Sequence, residues 1–299
     1  MKHLLILFSL ILTLLLSSCG ADVQNSDNSD KAVVYTSFNA MYQITKEIAG
    51  DKADVECLMP SGAEPHDWEP SAGDIVKLQK ADIFVYSSDD METWVSDVLN
   101  SAKSGLDVVE ASKDITEIDV DVHENDDGHS HGGHDPHVWL DPKNAVIQAQ
   151  SITDELCKTD SENADYYKQN LAVFKEKAEN LDNEYKQVLQ NAKTKYIIVS
   201  HEAYGYLCNA YGLEQIGIEG VMADSEPSPA KMAEIVNFAK EHNIRYVFAE
   251  NSGDTKLADT AANEIGGEVL VLSPFESGSE DYFTVMENNL QALKKALCE

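Results

Sequence analysis

Nine histidines occur in the 299 residues, and imidazole is the side chain most often used to bind transition metals. Five of them fall in one stretch, His123 to Pro142, which reads HENDDGHSHGGHDPHVWLDP. The first four, His123, His129, His131 and His134, sit among Gly, Asp, Asn and Ser without apolar periodicity. That composition predicts a mobile polar loop over 121–135, of the His- and Asp-rich kind that holds divalent metal loosely. A solvated surface loop is the alternative. From Asp135 the character changes. In DPHVWLDP two prolines fix the backbone around His137, and an apolar trio follows it. The pattern is that of a loose metal collector joined to a fixed site.

Three further residues of metal-ligating type stand just past apolar, β-prone runs. His66 lies in GAEPHDWEP after the run Asp54–Met59, His201 follows Tyr196–Ser200, and Glu276 follows Glu268–Leu272 in SPFE. A lone His after a strand is usually an ordinary hydrogen-bonded loop residue. Here several candidates leave strand ends in both halves of the chain, where ligands bind in open α/β sheets. Three imidazole nitrogens and one carboxylate oxygen form a tetrahedral, borderline-soft set suited to Zn(II). For the carboxylate, Glu280 and Asp281 remain alternatives to Glu276.

The elements that must position these residues alternate in type. Strands are predicted at 32–38, 54–59, 82–86 and 106–109, with helices at 41–48, 74–80 and 94–99 between them. A helix over 144–156 closes this half. The second half repeats the plan, with strands at 196–200, 213–218, 246–250 and 268–272 and helices at 230–242, 255–265 and 281–297. Such alternation predicts an α/β fold of two lobes, each a four-stranded, mostly parallel sheet with flanking helices. Between the halves, Tyr167, Leu171, Phe174, Ala178, Leu181, Tyr185 and Val188 recur at three- and four-residue steps. One long, rigid helix from Glu162 to about Ala192 is expected, roughly 45 Å in length. The heptads are not sustained, so a coiled-coil partner is not expected, and the chain is read as a monomer. The lobes are placed at 32–158 and 193–299, with the linking segment at 159–192.

Residues 1–19 have one early Lys and an apolar run from Leu4 to Leu16, too short to span a bilayer and typical of a secretory signal. Leu16-Ser17-Ser18-Cys19-Gly20 resembles the bacterial lipoprotein signal, in which the cysteine becomes the acylated first residue. Residues 20–31 are small and polar, as a tether would be. The expected location is the extracytoplasmic face of the cell membrane, held there by lipid. A net charge of −31 argues against nucleic acid as a partner. Cys57, Cys157, Cys208 and Cys298 stand in no CxxC pair, and their spacing does not choose among disulfide pairings.

GAEPHDWEP with the following GDIVKLQKADIFVY, then METW, DPHVWLDP, SHEAYGYL, EPSP and SPFESG before EDYFTVMENNLQAL, resemble the metal-binding lipoproteins that serve bacterial ABC importers of zinc or manganese. The resemblance covers nearly all of the chain past Cys19. It implies metal held between two lobes by His66, His137, His201 and the acidic position near Glu276, and delivery to a membrane permease. Histidine at 201 and a His-rich tract before DPH follow the zinc pattern of that family rather than the manganese pattern. An extracellular zinc hydrolase, with Glu64 or Asp67 as base, is the competing class, but the chain has no HExxH pair and no nucleophile motif.

Overall fold

The computed structural model describes residues 31–100, 105–120, 133–223, 227–250 and 255–299. The expectations for the leader, for Cys19 and for most of the tether lie outside these residues, as do those for His123, His129 and His131. Among the described residues, no helix is long and apolar enough to cross a membrane.

The first half runs β1 (Ala32–Thr36), α1 (Asn39–Ala49), β2 (Ala53–Cys57), α2 (Ala72–Leu78), β3 (Ile83–Tyr86), α3 (Val95–Leu99) and β4 (Asp107–Glu110). Its sheet has the order β2-β1-β3-β4, and all neighbouring strands are parallel. The second half runs β5 (Tyr196–His201), α6 (Gly205–Tyr211), β6 (Glu214–Glu219), α7 (Pro229–Glu241), β7 (Tyr246–Ala249), α8 (Lys256–Ile265), β8 (Glu268–Val271) and α9 (Tyr282–Cys298). Its order, β6-β5-β7-β8, repeats that of the first sheet, again all parallel. Parallel strands need crossovers, and the crossover helices cover the sheet faces. This is why all four residues of β3, Ile-Phe-Val-Tyr, are buried and apolar rather than alternating.

Two helices join the halves. In α4 (Pro142–Thr159), Asp141 caps the N-terminus by accepting from the Lys143 N–H at 2.9 Å, and Pro142 occupies the first turn. This cap starts the helix two residues before the predicted Asn144. The linking helix α5 (Ala164–Leu189) has 26 residues, roughly 39 Å. The single helix expected from Glu162 is interrupted at its start by a 3-10 turn over Ser161–Asn163. The Asp160 carboxylate organises that turn, accepting from Asn163 Nδ2 at 2.8 Å and from the Tyr167 hydroxyl at 2.6 Å. Helix α5 holds both halves. Asn170 Nδ2 donates to the Ile48 carbonyl at 2.9 Å, and the Tyr185 hydroxyl to the Met286 carbonyl at 2.7 Å.

One buried apolar cluster runs from β1 through α4 and α5 to α9. At its centre the Trp139 ring lies 5.0 Å from that of Phe38, while its indole N–H donates to the Pro274 carbonyl at 2.7 Å. The Tyr282 hydroxyl returns a bond to the Trp139 carbonyl at 2.9 Å. These bonds lock the segment after His137 to the segment before Glu276. Helix α6 has no counterpart in the sequence reading. It is a short helix of about two turns with no side-chain cap, and burial of Tyr206, Leu207 and Cys208 holds it. Cys57, Cys157, Cys208 and Cys298 are all free thiols.

Candidate metal centre

His201 is the last residue of β5, one place further into the strand than predicted. His66 lies in the loop after β2, His137 in the connection beyond β4, and Glu276 in the loop after β8. All four therefore come from the carboxyl ends of the two sheets or from connections leaving them, which is where parallel sheets leave a crevice. One ligating atom from each lies within 4.8 Å of the others. His137 Nε2 is 3.2 Å from His66 Nε2 and 3.0 Å from Glu276 Oε1. Glu276 Oε1 lies 3.7 Å from His201 Nε2 and 3.8 Å from His66 Nε2. A tetrahedral zinc with bonds of roughly 2.0–2.1 Å needs ligand atoms roughly 3.3–3.4 Å apart, and the observed spacings straddle that value.

The polar atoms at this centre are poorly satisfied by protein. His66 Nδ1, His201 Nε2 and Glu276 Oε1 are buried without hydrogen-bond partners among the described residues. Orphaned buried polar atoms are costly, and an ion that gathers them would remove the cost. Two of the rings are pre-set for such an ion. His137 Nδ1 lies 2.8 Å from Asp135 Oδ1, which also accepts from the His137 backbone N–H at 2.9 Å. His201 Nδ1 lies 2.5 Å from Glu250 Oε1. A carboxylate on Nδ1 draws the proton there and leaves the Nε2 lone pair facing the centre. Asp135 and Glu250 were not identified in the sequence reading. Asp135 was detectable, since Asp-x-His lets an aspartate bond the backbone two residues on. Glu250 carried no local signal, because it reaches His201 across from the end of the neighbouring strand.

The same contacts set the charges. Burial disfavours protonated His137, but its bond to Asp135 and the adjacent Glu276 carboxylate outweigh burial and raise its pKa. For His201 burial is likewise overcome, by the bond to Glu250 and the nearby Glu276 carboxylate, which lift it well above the ordinary value. Burial also opposes charge on Glu276, yet His137 and His201 hold it far below the usual carboxylate range. His66 lacks a carboxylate on Nδ1, and burial pushes it down to about 3, with repulsion from the other two rings adding to the shift. Without metal, these contacts favour the charged forms of His137, His201 and Glu276 and the neutral form of His66.

Of the three acidic candidates, only Glu276 faces this centre. Asp281 caps α9, accepting from the Thr284 N–H at 3.0 Å and its hydroxyl at 2.6 Å, and Glu280 is exposed. Phe275, just before Glu276, has a φ of +63°, a strained value for a residue with a Cβ. Asn39 Nδ2 grips the Phe275 carbonyl at 3.2 Å, and Trp139 holds the carbonyl of Pro274 beside it. The strained turn is therefore held from the first half and aims Glu276 inward.

Gly205, at the start of α6, leaves the room that Asp135 occupies. A Cβ there would stand 2.1 Å from Asp135 Oδ2. Gly205→Ala is expected to displace Asp135, free the His137 ring and weaken metal binding by roughly 10–100-fold, the usual cost of losing an outer partner. Calorimetric titration of zinc into the variant checks this. Unchanged affinity would mean that Asp135 does not hold His137 for the ion.

The zinc-uptake complex component A, periplasmic, family model matches residues 34–296. The chain is 41% identical over 301 residues to the high-affinity zinc uptake system protein ZnuA of Bacillus subtilis, covering 95% of this chain and 94% of that protein. It is 37% identical over 310 residues to the zinc-binding lipoprotein AdcA of Streptococcus pneumoniae, but spans only 61% of that longer protein. Its fold is similar to the Zn(II)-bound ZnuA-like domain of Streptococcus pneumoniae AdcA, with a TM-score of 0.77 at 36% identity, covering 90% of this chain and 100% of that one. With a match across nearly every element that positions the four-residue cluster, the chain belongs to the zinc-uptake complex component A (ZnuA) family of solute-binding proteins.

Proposed function

We propose that this chain is the extracytoplasmic, high-affinity zinc-binding subunit of an ABC importer, capturing Zn(II) between its two sheets and delivering it to a membrane permease. The observation that carries the reading is the convergence of His66, His137, His201 and Glu276 from both sheets on one point. In this reading the three Nε2 atoms and Glu276 Oε1 are the ligands, and the charge balance follows. Zinc replaces the protons of His137 and His201 while Glu276 stays ionised. The anchor is acylated Cys19 and the working unit is a monomer. The names of the relatives, a zinc uptake protein and a zinc-binding lipoprotein, support this assignment.

The protein is not an enzyme in this reading. Four protein ligands fill a tetrahedral zinc shell, whereas a catalytic zinc keeps one position for water. Asp67, one residue a hydrolase would use as base, is exposed, whereas Glu64 stands near enough to the centre that burial and Glu276 push its carboxyl up to about 7. Assays of the zinc-loaded protein on peptide, ester and phosphoester substrates should show no turnover.

Metal choice is the direct test. A nitrogen-rich set favours zinc over manganese in the general affinity order of divalent ions. Competition titration on metal-free protein should show zinc displacing manganese at equal concentrations. Equal or tighter manganese binding would reassign the importer to manganese.

A further inference from the structure

Of the three imidazoles at the metal centre, His66 is the one whose outer nitrogen no protein group holds. Nδ1 of His137 and of His201 each meets a carboxylate, whereas His66 Nδ1 is buried without a hydrogen-bond partner among the described residues. Its Nε2 nevertheless faces the centre, 3.2 Å from His137 Nε2. We propose that Trp68, two residues further along the same loop, is the positioning residue for His66. It pins the loop against the first sheet and so presents the His66 ring to the ion. This role rests on the zinc reading of the centre and adds to it the means by which the third ring is held.

Backbone hydrogen bonds do not supply that hold. The chain leaves β2 with the Leu58 N–H on the Thr36 carbonyl at 2.8 Å and the Met59 N–H on the Ser37 carbonyl at 3.1 Å. It is fixed again at Ser71, which caps α2 in a reciprocal box with Asp74. Between these points the Ala63 N–H donates to the Pro60 carbonyl at 3.2 Å and the His66 N–H to Glu64 Oε1 at 3.5 Å. Both bonds stay inside the loop, so neither ties it to the sheet.

Side chains make the attachment instead. Pro65 is buried and Trp68 is half-buried. The Trp68 ring packs on the main apolar cluster and also on a second cluster that includes Tyr35, Phe84 and Tyr86 of the first sheet. It meets the Trp94 ring edge to face, with centroids 5.4 Å apart and planes at 81°. Trp94 lies 6.0 Å from Phe84, and Phe84 stacks on Tyr86 at 5.9 Å. A row of rings thus runs from β3 to the loop. Such ring pairs are directional, and an indole has only two side-chain torsions, so the row fixes a position at little cost in rotamer freedom. His66 sits between two anchored neighbours, with Pro65 fixing φ before it and Trp68 beyond Asp67 after it.

A double-mutant cycle on the full chain tests this role, with zinc affinity read by titration against a competing chelator. Trp68→Ala should weaken zinc binding by about 10–100-fold, the usual cost of losing the group that orients a ligand. Trp68→Phe keeps a ring against Trp94 and should return most of that loss. In the His66→Ala background, Trp68→Ala should add no more than about twofold, because the ligand it positions is gone. A packing role independent of His66 would give the same loss in both backgrounds. Should Trp68→Ala not fold, the exposed Asp67 supplies a second test. Asp67→Gly loosens the link between anchor and ligand, and it should bind zinc about threefold more weakly than Asp67→Ala. The role is overturned by unchanged affinity in Trp68→Ala, by losses that multiply across the cycle, or by equal affinities in the two Asp67 variants. Unchanged affinity in His66→Ala overturns it as well, and that result alone also removes His66 from the zinc site, so the two failures are told apart.

Discussion

His201→Ala is expected to weaken zinc binding by about a thousandfold or more, ~4 kcal/mol. The substitution removes one of four converging atoms and opens a route for water beside the other three. It also strands charge. Glu276 is buried and ionised in a field that His201 helps to supply, and Glu250 loses the ring it holds. A buried carboxylate deprived of its partner is costly, so the metal-free variant should also be less stable. Removing residues 124–133 should have the contrasting effect. Each metal held by a polar, Gly-rich tract costs chain ordering, about 1 kcal/mol or more per residue fixed, so the tract is expected to bind weakly. Its deletion should abolish weak zinc equivalents, slow capture when zinc is scarce, and leave the tight equivalent in place. Calorimetry on the two variants separates the roles. Tight binding lost with the tract but kept in His201→Ala would reverse the assignment of collector and site.

Acidification should weaken zinc binding steeply, from above the ordinary imidazole pKa of about 6.5. In the metal-free protein both His137 and His201 hold their protons to higher pH than a free imidazole does. Zinc requires both Nε2 lone pairs, so both protons must leave. While both rings are charged, each unit fall in pH then costs about tenfold per proton, or about 100-fold for the pair. His66, at about 3, and Glu276, held lower than an ordinary carboxylate, do not titrate in this window. Titrations in buffers of different ionisation enthalpy should show protons released as zinc binds, their number rising as pH falls. Affinity that is flat from neutral to mildly acid pH would remove the two charged rings from the account.

The stability of the metal-free protein should move the other way. The raised pKa values of His137 and His201 contribute stability below their unfolded values, and that contribution is lost as pH rises through the folded ones. The depressed pKa of Glu276 contributes above its unfolded value of 4.5 and is lost on strong acidification. Metal-free protein should therefore melt at lower temperature as pH rises past neutral, while zinc binding strengthens over the same range.

The sequence by itself determined the layout. Apolar runs such as IFVY and YIIVS, separated by helical stretches, predicted two parallel sheets, because strands covered on both faces lose their alternation. The stripe from Tyr167 to Tyr185 predicted the linking helix, because a 3.6-residue period survives any tertiary context. The types of His66, His137 and His201, with His66 and His201 just past strand ends, pointed to a metal, because imidazole chemistry is local. What only the tertiary structure decided concerns residues whose partners are distant in the chain. Helix α6 is held by burial rather than by caps or length, so nothing in its seven residues announced it. Glu250 orients His201 from 49 residues away, and Asp90 meets His134 across 44. Glu276, Glu280 and Asp281 are equivalent as carboxylates on one short loop. The choice among them rests on the left-handed turn at Phe275, held by Asn39, which bonds to it from 236 residues away. A strained backbone persists only where remote packing outweighs its local cost, and local propensity carries no record of that packing.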